Sequence, residues 1–119
     1  MRSFVPALAL LGLTACSVSA PAPMAYEDSA EYAANCMAAA SLIKPIAEIA
    51  ELADPATLEI YEAVEKYWQG ELETRSADAS KAADYGSNAI EAMGVELDEP
   101  GEPAFRKAQT ILQSCEAST

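Results

Sequence analysis

The chain has 119 residues, is 51% hydrophobic, and sets seven Lys and Arg against nineteen Asp and Glu, a net charge of −12 at pH 7. A balance this acidic, with no basic stripe, repels phosphate backbones and anionic head groups, which excludes nucleic-acid binding and charge-driven adsorption to membranes. There is no histidine, which removes Ser–His and Cys–His nucleophile pairs, His-ligated zinc or copper, and haem held by a CxxCH box.

The N-terminus reads as a secretory leader: Arg2 supplies a positive start, Phe4 to Leu13 an apolar stretch, and small residues follow. The twelve uncharged residues from Phe4 to Ala15 fall short of the roughly 20 that a bilayer-spanning helix needs. Leu13-Thr14-Ala15-Cys16 matches every position of a lipobox, so the first sixteen residues resemble a bacterial lipoprotein leader. The resemblance implies cleavage before Cys16, acyl chains on its sulfur, and, with Ser17 next, sorting to the outer membrane on its periplasmic side. The alternatives are an uncut leader, or ordinary cleavage after Ala20 or Ala22, giving a soluble periplasmic or secreted protein. The latter puts Pro21 or Pro23 immediately past the scissile bond. Residues 1–15 are thus expected as signal peptide, 16–28 as lipidated cysteine and tether, and 29–119 as a helical bundle domain. Cutting before Cys16 leaves 104 residues and removes Arg2, so that six basic side chains face nineteen acidic ones, a net −13. That is one domain with a modest core. The membrane is then reached through the acyl chains alone, and a protein partner is expected to be basic or apolar.

Residues 17–28 are rich in Ser, Pro and Ala without periodicity, an extended tether whose reach is at most roughly 40 Å. A first helix is expected from Asp28 or Ser29 as N-cap, with Tyr32, Cys36, Ala39/Ala40 and Ile43 on its apolar stripe. Pro45, which costs a helix interior about 3 kcal/mol, predicts a kink or a break. Residues 46–53 then follow as a bent continuation or a short separate helix. Asp54-Pro55 restarts a helix that runs to about Glu73, with Leu58, Tyr61, Val64/Glu65, Trp68 and Leu72 inward and Ile60 and Tyr67 widening that face. Glu62 and Lys66 are spaced for an i,i+4 pair on its outer side.

A third helix is expected over about 77–93, with Ala79, Ala82/Ala83, Gly86, Ala89/Ile90 and Met93 inward and Gly94 as its C-terminal cap. Its small-sided face permits close approach but buries little, making it the least stable of the set. Val95 to Glu102 is loop by composition. Pro103 then opens a fourth helix with Phe105, Ala108, Ile111/Leu112 and Cys115 on its face. No strand-like alternation or repeat is present. The fold class is therefore all-α, a small antiparallel three- to four-helix bundle.

If Cys16 carries lipid, Cys36 and Cys115 remain as an even pair in an oxidising compartment. Both lie on apolar stripes, Cys36 two turns into the first helix and Cys115 in the last turn of the fourth. In an antiparallel bundle those two ends are neighbours, so a Cys36–Cys115 disulfide is expected between the first and last helices. Closing 79 sequence steps is worth about 4.5 kcal/mol in the chain-entropy model, a large share of the stability of a small alanine-rich domain. A redox role is disfavoured, because catalytic disulfides sit as CxxC at helix starts.

Glu96, Asp98, Glu99 and Glu102 crowd one loop without EF-hand spacing and read as a solvated acidic turn rather than a calcium site. Nothing singles out two carboxylates for glycoside cleavage. Met24, Met37 and Met93 are too scattered for copper handling. Trp68 and Tyr61 read as core, whereas Tyr67, at the edge of the wide face, is the candidate partner contact. No catalytic residue, metal site, cofactor or small-molecule substrate is identified. The expected function is a non-enzymatic, lipid-anchored envelope protein acting as a protein-binding module. Alternatives are a periplasmic acid-stress chaperone, loosened when its many carboxylates are neutralised, and an inhibitor of an envelope enzyme.

Overall fold

A computed structural model describes residues 25–99 and 101–117. Cys16, the leader and the tether up to Met24 lie outside the described residues. Within them the chain forms a single 3-10 turn, Tyr26–Asp28, and four helices: α1 (Ala30–Ala50), α2 (Pro55–Arg75), α3 (Ala79–Glu96) and α4 (Glu102–Ala117). The all-α bundle with its first and last helices joined is what the periodicity predicts.

Helix starts follow local chemistry closely. Ser29 caps α1 by accepting from the Tyr32 amide at 3.1 Å, Asp54 caps α2 by accepting from Thr57 at 2.8 Å, and Asp78 caps α3 by accepting from Lys81 at 2.8 Å. Each satisfies one of the amides that a helix leaves without an internal partner. The Thr57 amide also holds the Asp54 carboxyl below the usual carboxylate range.

Helix ends follow local chemistry less well. Pro45 neither breaks α1 nor starts a separate helix: α1 runs through it to Ala50. The proline is on the exposed side, while Ile43 and Ala47 on either flank are fully buried. Packing on both sides of the proline offsets the one lost backbone bond and the ring's clash. α1 stops instead at Glu51, whose φ of 57° is left-handed, with the Leu52 amide closing back on the Ala47 carbonyl at 2.9 Å. α3 likewise passes the expected cap at Gly94 and ends at Glu96, where the next residue, Leu97, is drawn into the core.

The centre of the bundle is α1, which packs against α2, α3 and α4. Its burial is far wider than the single stripe expected: Ala33, Ala34, Cys36, Ala38, Ala39, Ala40, Ile43 and Ala47 are all inaccessible or nearly so. A helix that is apolar almost all round is a buried helix, and here the alanines leave room for three neighbours. α2 runs antiparallel to α1, as shown by Lys44 Nζ reaching Glu62 Oε2 at 3.0 Å near one end and Arg75 donating to the Glu27 carbonyl at 2.9 Å near the other. The Lys44 contact replaces the Glu62–Lys66 pair suggested by spacing. It holds the Glu62 carboxyl down and the Lys44 ammonium up, chiefly through their shared hydrogen bond and then through direct attraction.

Cys36 and Cys115 form a disulfide with their Cα atoms 6.0 Å apart. Both are buried, 1% and 2% exposed. α3 meets α1 where Gly86 faces Met37, and a Cβ built there would stand 3.4 Å from the methionine methyl and 3.6 Å from Leu72. Of the α3 face expected inward, Ala82, Gly86, Ala89 and Met93 are buried, whereas Ala79, Ala83 and Ile90 are exposed. α2 and α3 touch each other little.

Candidate functional site

Four aromatic rings run in a row across the end of the bundle where the described chain begins. Tyr26 meets Tyr32 edge-on at 5.3 Å, Tyr32 meets Trp68 at 5.9 Å, and Trp68 meets Tyr67 at 5.1 Å. Edge-to-face pairs at these separations are each worth about 0.5–1.5 kcal/mol beyond simple burial. The middle of the row is the core: Trp68 is 2% exposed. Its two ends are on the surface, with Tyr67 half exposed at 50%.

Arg75 locks this row to the start of the chain. Its guanidinium lies 5.5 Å from the Trp68 ring centre, pairs with Glu71 at 2.9 Å, and donates to the carbonyls of Glu27 and Ser29. Asn35 Nδ2 donates to the Tyr26 hydroxyl at 2.7 Å. The part of the expected tether closest to the bundle is thus a turn fastened to α1 and α2. Spacing arguments do not single out Arg75. The available signal is its position in the last turn of α2, where a cation can serve the end of a helix.

Tyr67, the candidate contact, sits on the outer flank of α2 with Ile60, which is 59% exposed. Ile60, Ala63, Val64, Tyr67, Trp68 and Glu116 line a shallow depression of about 270 Å³. A ring held against Trp68 loses little freedom when it is covered, which is what makes a half-exposed tyrosine an effective anchor. Trp68 takes the core position expected of it, and Tyr61 is half-buried, edge-on to Phe105 at 6.4 Å.

The acidic turn is bound to α4. Glu99 pairs with Lys107 at 2.7 Å and Glu102 with Arg106 at 2.6 Å, while Lys107 also donates to the Glu96 carbonyl at 3.2 Å. The Glu99 hydrogen bond raises the Lys107 ammonium. Among the described residues no three Asp, Glu, Cys or His side chains converge as metal ligands, and no helix is long and apolar enough to cross a membrane.

A second depression of about 440 Å³ has the disulfide at its floor and Tyr32, Met93 and Ile111 on its sides. A third, of about 860 Å³, opens between α2 and α3. Comparison of the chain with protein-family models, with curated proteins and with solved structures returns no match.

Proposed function

We propose that the protein is a small, acidic, lipid-anchored envelope protein that works without catalysis, holding a basic or apolar protein partner close to the membrane. The observation that carries the binding role is Tyr67, half exposed and fixed edge-on against buried Trp68 beside the exposed Ile60. The lipobox at Leu13–Cys16 supports the anchor, and the absence of histidine supports a role other than catalysis. In this reading the acyl chains sit on Cys16 and the protein faces the periplasm from the outer membrane. The described chain begins nine residues later at Ala25, a span of at most about 30 Å. Arg75 and Asn35 fix where the chain leaves the bundle, so the aromatic row would lie on the membrane-proximal end.

Intact mass and site-specific crosslinking test the two halves separately. The expected mass is that of a chain starting at Cys16, increased by acyl groups and lighter by two hydrogens for the disulfide. A Cys16→Ala variant is expected to leave the membrane fraction. A photo-crosslinker at position 67 is expected to trap a discrete partner in cells, while the same group at exposed Glu91 on α3 is not. Equal trapping at both positions, or none at 67, refutes Tyr67 as the contact.

A further inference from the structure

The cleft between α2 and α3 lies on the flank of α2 away from Tyr67 and Ile60. Helical geometry puts Glu65, Gln69, Glu73 and Ser76 on one stripe of α2, and all four line the cleft. Its floor is Met37 and Leu72, both nearly buried, and its far wall is the small-sided face of α3 with exposed Ala83 and Ile90. The turn at Ser76–Asp78 closes one end. From Glu65 to Ser76 the wall is about 16 Å long, three helical turns.

Charge identifies what fits there. Glu65, Glu73 and Asp78 line the cleft and no Lys or Arg does. Asp78 is occupied in capping α3. Neither Glu65 nor Glu73 forms an ion pair among the described residues. Lys44, on the neighbouring face of α1, is already bonded to Glu62. A second copy of this chain would bring another acidic surface. The tether residues 17–24 carry no charge and offer nothing for the carboxylates. An extended strand would find no sheet edge to pair with, since the cleft is walled by helices.

We propose that the α2–α3 cleft is a docking groove for a basic amphipathic helix of a partner protein. Three turns of apolar side chains would cover Met37, Leu72 and Ile90, with the exposed Ala79 and Ala83 allowing close approach. Glu65 and Glu73 are eight residues apart on one face, about 12 Å along the axis. They would therefore pair with cations two turns apart, at i and i+7 or i+8 of the docked helix.

The test uses the intact domain and two synthetic fifteen-residue Leu/Lys helical peptides of identical composition, one with flanking lysines two turns apart and one with them a single turn apart. Saturable binding is expected to favour the two-turn peptide. The Glu65→Gln, Glu73→Gln variant is expected to bind it about tenfold more weakly, the scale of two exposed ion pairs. The equally charged control Glu59→Gln, Glu91→Gln, on surfaces outside the cleft, is expected to change binding less than twofold. Ala83→Phe, at an exposed position, is expected to block the groove while leaving the thermal unfolding curve in place. Equal loss in both charge variants would mean diffuse attraction to an acidic surface and overturn the proposal. Undiminished binding by Ala83→Phe, or no preference between the peptides, overturns it as well. Because Tyr67 and Ile60 are elsewhere on α2, failure here leaves the crosslinking result at position 67 unaffected.

Discussion

α1 has two unlike sides. Toward α4 the contact is tied: a disulfide joins Cys36 to Cys115 beneath a smaller depression of about 440 Å³, and Ala104 and Ala108 of α4 are fully buried. Toward the gap between α2 and α3 the contact is open, with Met37 and Leu72 at the bottom of a cleft of about 860 Å³. Both sides are built largely from small residues. The difference is that one has a covalent link to hold it, while the other has two helices that meet α1 but hardly each other. Small side chains let helices approach without supplying much burial free energy, so a shallow core can be tied by a staple or left as a groove.

The largest expected effect follows from cutting the staple. Replacing Cys36 and Cys115 with Ala should cost about 4.5 kcal/mol in urea unfolding, by the loop-entropy relation for 79 intervening steps. A loss below about 1 kcal/mol would mean that alanine packing alone holds the tied side.

The two helices that flank the cleft are expected to have room for improvement. Gly70 in α2 and Gly94 in α3 lie inside helices, and a Cβ at either meets nothing within 4 Å. Alanine at each should stabilise the domain by about 0.5–1 kcal/mol, read as a raised denaturation midpoint with an unchanged slope. A destabilising result would show these helices constrained by something other than their own backbone.

The smallest effect is electrostatic and concerns α2 where it meets α1 and its own N-cap. Asp54 and Glu62 have carboxyls held below their ordinary values, by the Thr57 amide and by Lys44 respectively. Their contribution is therefore complete above about pH 4.3 and lost as pH falls through the lowered folded values. Lys44 and Lys107 are raised, so their contribution is complete below about pH 10.4 and lost at higher pH. No histidine titrates between those windows. Glu62→Gln and Asp54→Asn should each flatten part of the acid limb of a stability–pH profile, with Asp54→Asn nearer to the parent in stability at neutral pH because asparagine can still cap α2. An unchanged acid limb in Glu62→Gln would remove the Lys44 link from the account.

Much of this was legible in the residues themselves. Ser29, Asp54 and Asp78 start helices by hydrogen bonds that span three residues, and Cys36, Trp68, Leu72, Phe105, Ala108 and Cys115 are buried as helical spacing predicts. The disulfide partners were identifiable too, because antiparallel order fixes which helix ends are neighbours. Tyr67 could be placed at the edge of the wide apolar face of α2 from sequence, and its exposure agrees.

What tertiary structure decided is where helices end and what surrounds α1. Whether Pro45 breaks α1 depends on Ile43 and Ala47 being buried by other helices, which no local window contains. Gly94 fails to cap α3 because Leu97 beyond it is pulled into the core. Glu62 prefers Lys44 on a different helix to Lys66 on its own, and Arg75 joins α2 to a turn 46–48 residues earlier in the chain. A helix pattern reveals which face is apolar, yet an alanine-rich helix is apolar on most faces and small on all of them. The number of neighbours it takes, and the gap they leave between α2 and α3, is set by how three separate helices share that one surface.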